Sequence, residues 1–505
     1  MDLSDPLDRE RWFDHLAGLV AGRKVVCGLG PLAALTEFVE LLARAGAEKP
    51  LLLYTSRGAG PVPDEADVFL LQVATPRYET LSEEVRDQER VLRSASPEVL
   101  EALDRYDPAR EALRMVGPFA STDPVDGRPV IGGRERAWAA LEDKIVVDEI
   151  WDAVGYPRSK RRIVDVSSLA DLEDASRRLD EGHGVVWVAD AREGMNGGGE
   201  FTRWVATPDD LTAAVEFFRA HCDRVRVMPF LDGVPCSIHG IVLPDGTLAL
   251  RPVELAIMRD SQRRFLFGGL GTTWDPPRAD REQMRDLVRR TGEHLRERVG
   301  YRGGFGIDGV MTADGFRPTE LNPRYSGGLV TIGHVLDSAL FQLLQLNLAA
   351  GRDPGVTVAE LEAWAVPALD LARTAQPKAV LRGGLVEDRT RFRVTWDGRR
   401  LRADDAGELE VLVAPTPSGT FAKVDADGLL DAGERVGPLN AALLRLLDAE
   451  LDAGIGPVEA APDVRRLAAP SDVPGSDGEQ GEDHDGDVRD DLPDADLLGA
   501  EPASG

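Results

Sequence analysis

Three oxygen-bearing side chains and an arginine stand where they could act together. Asp308 lies in Gly303-Gly304-Phe305-Gly306-Ile307-Asp308-Gly309-Val310-Met311, and Glu320, Asn322 and Arg324 lie in Thr319-Glu320-Leu321-Asn322-Pro323-Arg324. Apolar runs on either side of Ala313-Asp314-Gly315 predict a two-strand hairpin. Across such a hairpin Asp308 and Glu320 can face one another on one side of the sheet, and Asn322, two residues further, projects from that same face. Carboxylate and amide oxygens suit a hard divalent cation, which completes its octahedron with water and phosphate oxygens. The neighbouring arginine offers a planar donor fork to a phosphate or carboxylate. An ordinary hairpin with exposed acids accounts for one such carboxylate more readily than for all four residues together.

The elements that must position these residues can be read from periodicity. Residues 1–135 read as an N-terminal α/β unit: strands at Lys24–Cys27, Pro50–Thr55 and Asp67–Val73, a helix from Leu32 to Ala45, and a charged helical stretch from Ser82 to Leu113. Alternation of strand and helix predicts a parallel sheet. Residues 136–225 open with a helix over Arg134–Trp151 that carries Asp143-Lys144. Strand Arg162–Val166, helix Ala170–Glu181, strand Gly184–Ala189, the glycine-rich loop Gly194–Gly199, strand Phe201–Ala206 and helix Pro208–Cys222 follow. Residues 226–354 carry strands Val225–Phe230, Cys236–Leu243, Leu248–Leu255 and Arg264–Gly268, helix Arg281–Val299, the hairpin, and helix Leu336–Ala350. Residues 355–462 read as an appended small α+β domain, and the acidic stretch 463–505 as a disordered tail that cannot offset its ordering entropy.

Composition sets the outer limits. The chain has 505 residues, 43% hydrophobic and 29% charged, with a formal charge of −29. Its length suggests roughly three domains. The acidic balance argues against nucleic acid and anionic membranes as partners, because both need a basic footprint. Six lysines stand against 53 arginines, so a lysine beside a motif is informative. This bias fits a GC-rich genome or a salt-adapted cytoplasm equally well. Cys27, Cys222 and Cys236 are too few and too scattered for a disulfide framework. No apolar run approaches the ~20 residues of a membrane span. A soluble, cytoplasmic protein is expected, its oligomeric state open, with a homodimer among the options.

The segment Glu320-Leu321-Asn322-Pro323-Arg324, preceded by Gly306-Ile307-Asp308, resembles the metal-binding hairpin of the ATP-grasp superfamily. Asp143-Lys144 followed by Gly155-Tyr156-Pro157 is similar to that superfamily's opening motif. Pro229-Phe230-Leu231-Asp232-Gly233 is similar to its hinge strand, with Gly233-Val234-Pro235-Cys236-Ser237 in the place of G-x-E-x-S. The resemblance covers about residues 135–350. It implies an α/β (α+β) ATP-grasp fold with a Rossmann-like N-terminal domain, and an enzyme that joins a carboxylate to an amine, or to a thiol or other nucleophile. An amino acid or peptide could be the acceptor. ATP would be consumed, with Mg²⁺ or Mn²⁺. Lys144 would touch the phosphates and Gly197, Gly198 and Gly199 would close over them. Met228, Phe230 and Leu231 would edge the adenine, with Glu254 serving nucleotide or substrate. Asp308, Glu320 and Asn322 would hold the metal, and Arg324 would steady the acyl phosphate. The superfamily's second lysine is missing from Gly184–Asp190, where Arg192 is the only nearby cation.

Two alternatives follow. A nucleotide-binding relative without turnover fits the missing lysine. An NAD-linked oxidoreductase fits Gly28-Leu29-Gly30-Pro31-Leu32-Ala33, a G-x-G-x-x-A turn after a strand, although no acid ends the next strand at Leu53-Tyr54-Thr55-Ser56. The same turn could instead face an acceptor substrate. Arg259, Arg263 and Arg264 read as a solvated basic face or a carboxylate site. Cys236 and His239, three apart on a strand, make a poor metal pair.

Overall fold

The structure is a computed structural model that describes residues 1–468 except 193, 195 and 196. Three sheets organise it. The first is a five-stranded sheet in the order Phe69–Gln72, Leu51–Tyr54, Val25–Cys27, Leu113–Ser121, Val130–Arg134, every pair parallel. The last two strands escape the sequence pattern, because Gly117, Pro118, Gly132 and Gly133 dilute their apolar signal. The second sheet has four strands, Arg162–Asp165, Arg224–Pro229, Val185–Ala189 and Thr202–Val205, all antiparallel. The third has twelve strands between Val234 and Ala460 and carries the Gly303–Thr312/Gly315–Asn322 hairpin at one end.

The third sheet does not stop where a separate C-terminal domain was expected. Phe265–Gly271 pairs with Ala375–Leu381, so the strands beyond residue 375 extend the same sheet. The first and third sheets also share one core: Trp12, Phe13 and Leu16 are buried with Phe341, Leu343 and Leu344 of the Ser338–Ala349 helix and with Leu248 and Leu250. Burial of such side chains contributes about 1.5–3 kcal/mol each.

Several expected elements divide, each for a local reason. The helix expected over Arg134–Trp151 breaks into Arg136–Ala139, a 3₁₀ turn at Ala140–Glu142 and a helix at Val147–Ala153. Asp143 is extended (φ −63°, ψ 120°) and its carboxylate accepts a hydrogen bond from the Ile145 N–H at 3.1 Å, an Asx turn that competes with the helix. Lys144 therefore leaves from a turn. The strand expected over Leu248–Leu255 is two, Gly246–Ala249 and Val253–Asp260, interrupted at Pro252, which has no N–H to give. The helix expected over Leu336–Ala350 is present as Ser338–Ala349, capped by Asp337, and an unanticipated helix, Gly327–Leu336, precedes it. At the start of the expected tail, Asp463 accepts from the Trp274 indole at 3.1 Å and Arg465 pairs with Asp280 at 2.8 Å, so 463–468 is anchored. The disordered tail expected further on lies outside the described residues. No helix among the described residues is long and apolar enough to cross a membrane.

Candidate functional site

The hairpin meets its own register with a bulge. Thr312 pairs with Gly315 and Gly309 with Pro318, but Asp308 pairs with Glu320. Thr319 is the extra residue. Had the turn-side register continued, Asp308 would oppose Thr319, and Glu320 would point to the other face, since side chains alternate strictly along a strand. The bulge re-aims Glu320 onto the face of Asp308. Thr319 is held in that conformation by its hydroxyl, which donates to the Asp308 carbonyl at 3.2 Å, and by its carbonyl, which accepts from Arg226 Nη1 at 3.0 Å.

On that face, the Asn322 amide donates to Asp308 Oδ2 at 2.9 Å and its oxygen accepts from Arg324 Nη2 at 2.7 Å. Glu320 reaches Lys144 Nζ at 3.1 Å. Burial and the charge of Glu320 push the Asp308 carboxyl up to about 6. Behind Asp308, Ser237 hydrogen-bonds it, and His239 Nε2 lies 3.2 Å from the Ser237 hydroxyl. Burial drives the His239 imidazole down to about 3, so it stays neutral. Arg324 is fixed by Glu142 at 2.9 Å, and Glu142 also pairs with Arg134. Glu142 and Arg134 carry no motif of their own and were missed; adjacency to Asp143-Lys144 was the signal for the first.

The turn bearing Lys144 is tied to the second sheet by a buried pair. Arg226, fully buried, donates to both oxygens of Asp148 at 2.7 and 2.8 Å, and Asp148 has no exposed surface. Asp148 lies one turn after Lys144, while Arg226 also holds Thr319. One ion pair thus couples Lys144 to the bulge that aims Glu320.

A cavity of about 230 Å³ adjoins Lys144, lined by Arg134, Glu142, Asp143, Ala191 and Gly194 among others. Gly198 and Gly199 sit nearby in sequence with φ of +63° and +73°, a conformation that favours glycine. The N–H of Gly197 donates to the Ser82 hydroxyl at 3.1 Å; the middle of the loop, 195–196, lies outside the described residues. Met228 and Phe230 share the open face of the second sheet with Val186 and Val188. That face is apolar where a second lysine was sought. Trp204, not anticipated, stacks on Phe230 with ring centroids 4.0 Å apart, and Leu231 follows at a half-buried position.

Other expected residues are placed elsewhere. Arg192 turns to Asp223 at 3.1 Å and to the Ala220 carbonyl at 2.8 Å rather than lining the Lys144 cavity. Glu254 is fully buried and bound by Arg435 at 2.7 Å and by the N–H groups of Val436 and Gly437. It anchors the Val436–Leu451 helix and does not line the cavity at Lys144, where a role toward nucleotide was expected. Glu254→Gln leaves Arg435 without its charge partner and is expected to cost about 3–5 kcal/mol, read as a lowered melting temperature with unchanged ATP affinity. Arg259, Arg263 and Arg264 pair with Asp232, Asp210 and Asp260, an ion-paired face rather than a free cluster. At the Gly28–Ala33 turn, the N–H groups of Leu32 and Ala33 are already bonded to the Ser56 and Arg57 carbonyls at 2.8 and 3.0 Å. Those two N–H groups are therefore not available to a pyrophosphate, which weakens the NAD reading.

Two carboxylates and one amide oxygen on one face, with mutual repulsion raising Asp308, form a donor set that fits a hard cation supplemented by water and phosphate. Among the described residues, no three His, Cys, Asp or Glu side chains converge to complete a cage from protein alone. That composition suits a cation delivered with a phosphate.

No protein-family model matches the sequence, and no curated protein matches it. Solved structures do. The biotin carboxylase domain of the Hydrogenobacter thermophilus 2-oxoglutarate carboxylase, solved with MgADP, ADP and bicarbonate, superposes with a TM-score of 0.51 at 14% identity, covering 89% of this chain and 94% of that one. Phosphoribosylamine–glycine ligase from Thermotoga maritima gives a TM-score of 0.48 at 14% identity over 84% of this chain and 96% of that one. An L-amino acid ligase from Bacillus licheniformis gives 0.46 at 14% identity over 80% and 94%.

Proposed function

The chain has the ATP-grasp fold, and from that premise we propose that it is an ATP-dependent ligase that activates a carboxylate as an acyl phosphate for attack by an amine or another nucleophile. The observation that carries the reading is the bulge-set pairing of Asp308 with Glu320 opposite Lys144, with Arg324 alongside.

Asp308, Glu320 and Asn322 would hold Mg²⁺, which when bound draws charge from the phosphate oxygens. Lys144 leaves Glu320 and neutralises a phosphate oxygen. Arg324, pre-oriented by Glu142, meets the substrate carboxylate or the acyl phosphate with its donor fork. The substrate carboxylate oxygen bonds to the γ-phosphorus as the bond to ADP breaks. The nucleophile then bonds to the acyl carbon as the carbon–oxygen bond to phosphate breaks, and the amine's proton passes to the departing phosphate. Positioning and charge neutralisation supply the rate. ADP release from ATP and Mg²⁺ that depends on both a carboxylate and an amine is the expected result; its absence across a panel of such pairs would count against the reading.

A second reading keeps nucleotide binding and drops turnover. The observation that favours it is the apolar face of Val186 and Val188 together with Arg192 engaged at Asp223. ATP binding without ADP release under every substrate pair would support it.

A further inference from the structure

A larger cavity, about 680 Å³, lies beyond Arg134 and Arg324, which both contribute to its wall. Arg134 also lines the smaller cavity at Lys144, so this residue borders both spaces. The large cavity lies between elements of the first and third sheets and the helix that joins their shared core: the Gly28–Pro31 turn, the Met115–Phe119 strand segment, the start of the Gly327–Leu336 helix, and the hairpin around Ser418. Most of its wall is apolar, including Leu35, Phe38, Val116, Phe119, Val330 and Leu346. Val380, an exposed apolar residue on the third sheet, also faces this space.

Two carboxylates stand in this wall: Glu37 is exposed and lies 3.6 Å from His334, whereas Glu84 is buried. Glu84, on the Leu81–Arg93 helix, is 5% exposed. It accepts hydrogen bonds only from neutral groups, the Gln88 amide at 3.3 Å and the Ser418 hydroxyl, and among the described residues it has no ion-pair partner. Burial raises its carboxyl above the usual range. A buried carboxylate without a cation is costly, and a cationic ligand relieves that cost. Gln342 Oε1 and the Ser326 hydroxyl, each 8% exposed, also line the cavity without a hydrogen-bond partner. The arginine side of the cavity suits an anion.

We propose that this cavity selects an amino acid or short peptide with a bulky apolar side chain, its ammonium group held by Glu84 and its carboxylate directed to Arg134 and Arg324. This rests on the ligase reading above and names the substrate class for it. The Gly28–Pro31 turn then serves the substrate rather than a nucleotide.

Calorimetric titration of the full chain tests it with three probes: L-phenylalanine, 3-phenylpropanoate, which lacks the amine, and L-aspartate, which lacks the apolar group. L-Phenylalanine is expected to bind at least about tenfold more tightly than either, the worth of one charge-assisted hydrogen bond or of the lost apolar contact. Glu84→Gln, which keeps the shape and the neutral hydrogen bonds, should bring L-phenylalanine to the level of 3-phenylpropanoate with no drop in melting temperature. Val380→Asp, changed at an exposed position, should weaken L-phenylalanine as well. Equal binding of L-aspartate, an unchanged affinity in Glu84→Gln, or no binding of any probe would overturn the proposal. Glu84-dependent binding of L-phenylalanine without ADP release would instead sink the ligase reading and leave the pocket assignment standing.

Discussion

Glu320→Gln is expected to lower ATP turnover by about 10²–10³-fold, the range seen when one preorganised electrostatic contact to a developing charge is removed. The substitution preserves shape and removes one charge from the face where Asp308, Asn322 and Lys144 meet. Its structural cost is small, because Glu320 is half-buried and its ion pair is partly open to water. The melting temperature should therefore hold while ADP release collapses. Relief of repulsion should also let Asp308 return toward the ordinary carboxylate range, since the Glu320 charge is one of the two causes that raise it. Full activity in this variant would remove Glu320 from the site.

The second large effect concerns stability. Asp148→Asn keeps the hydrogen-bonding outline but strips the charge that balances Arg226, which has no exposed surface. Arg161 lies 3.1 Å from the same carboxylate and Arg158 at 3.9 Å, so the loss leaves three guanidinium groups facing one neutral amide. Breaking a buried pair by removing one partner costs about 3–5 kcal/mol, a substantial share of a typical domain's stability. The expected readout is a clear fall in melting temperature or denaturant midpoint. Activity should fall too in whatever folded fraction remains, because Arg226 holds the Thr319 carbonyl at the bulge and Asp148 anchors the helix after Lys144. A stable and fully active Asp148→Asn protein would show that the pair does not couple the two halves of the site.

Much of this arrangement is legible in the amino-acid sequence, and the limits are physical. The parallel strands at residues 25–27, 51–54 and 69–72 announce themselves as short apolar runs bounded by turns, although the last of them is an edge strand with Phe69 exposed. The hairpin is marked by its Asp-Gly turn. Yet counting from that turn in regular register would put Glu320 on the wrong face, and only the bulge at Thr319 reverses this. A bulge leaves no periodicity signal, because one extra residue looks like ordinary strand. The helix break at Asp143 is a side-chain turn made within a longer helical pattern, and Asp337 sets the start of the Ser338–Ala349 helix by capping it. Glu254 misled for a different reason: its sequence neighbourhood does not reveal that Arg435, far along the chain, reaches it. Glu84 stands in a charged helical stretch in which nothing marks it as buried, and Ser418, which hydrogen-bonds it, lies far along the chain.

The most direct test of the central claim is a crystal structure of the chain with Mg²⁺ and a non-hydrolysable ATP analogue. The metal is expected between Asp308, Glu320 and Asn322, with Lys144 moved from Glu320 to a phosphate oxygen. A triphosphate bound elsewhere, or one bound here with Lys144 still paired to Glu320 and no metal on either carboxylate, would contradict it.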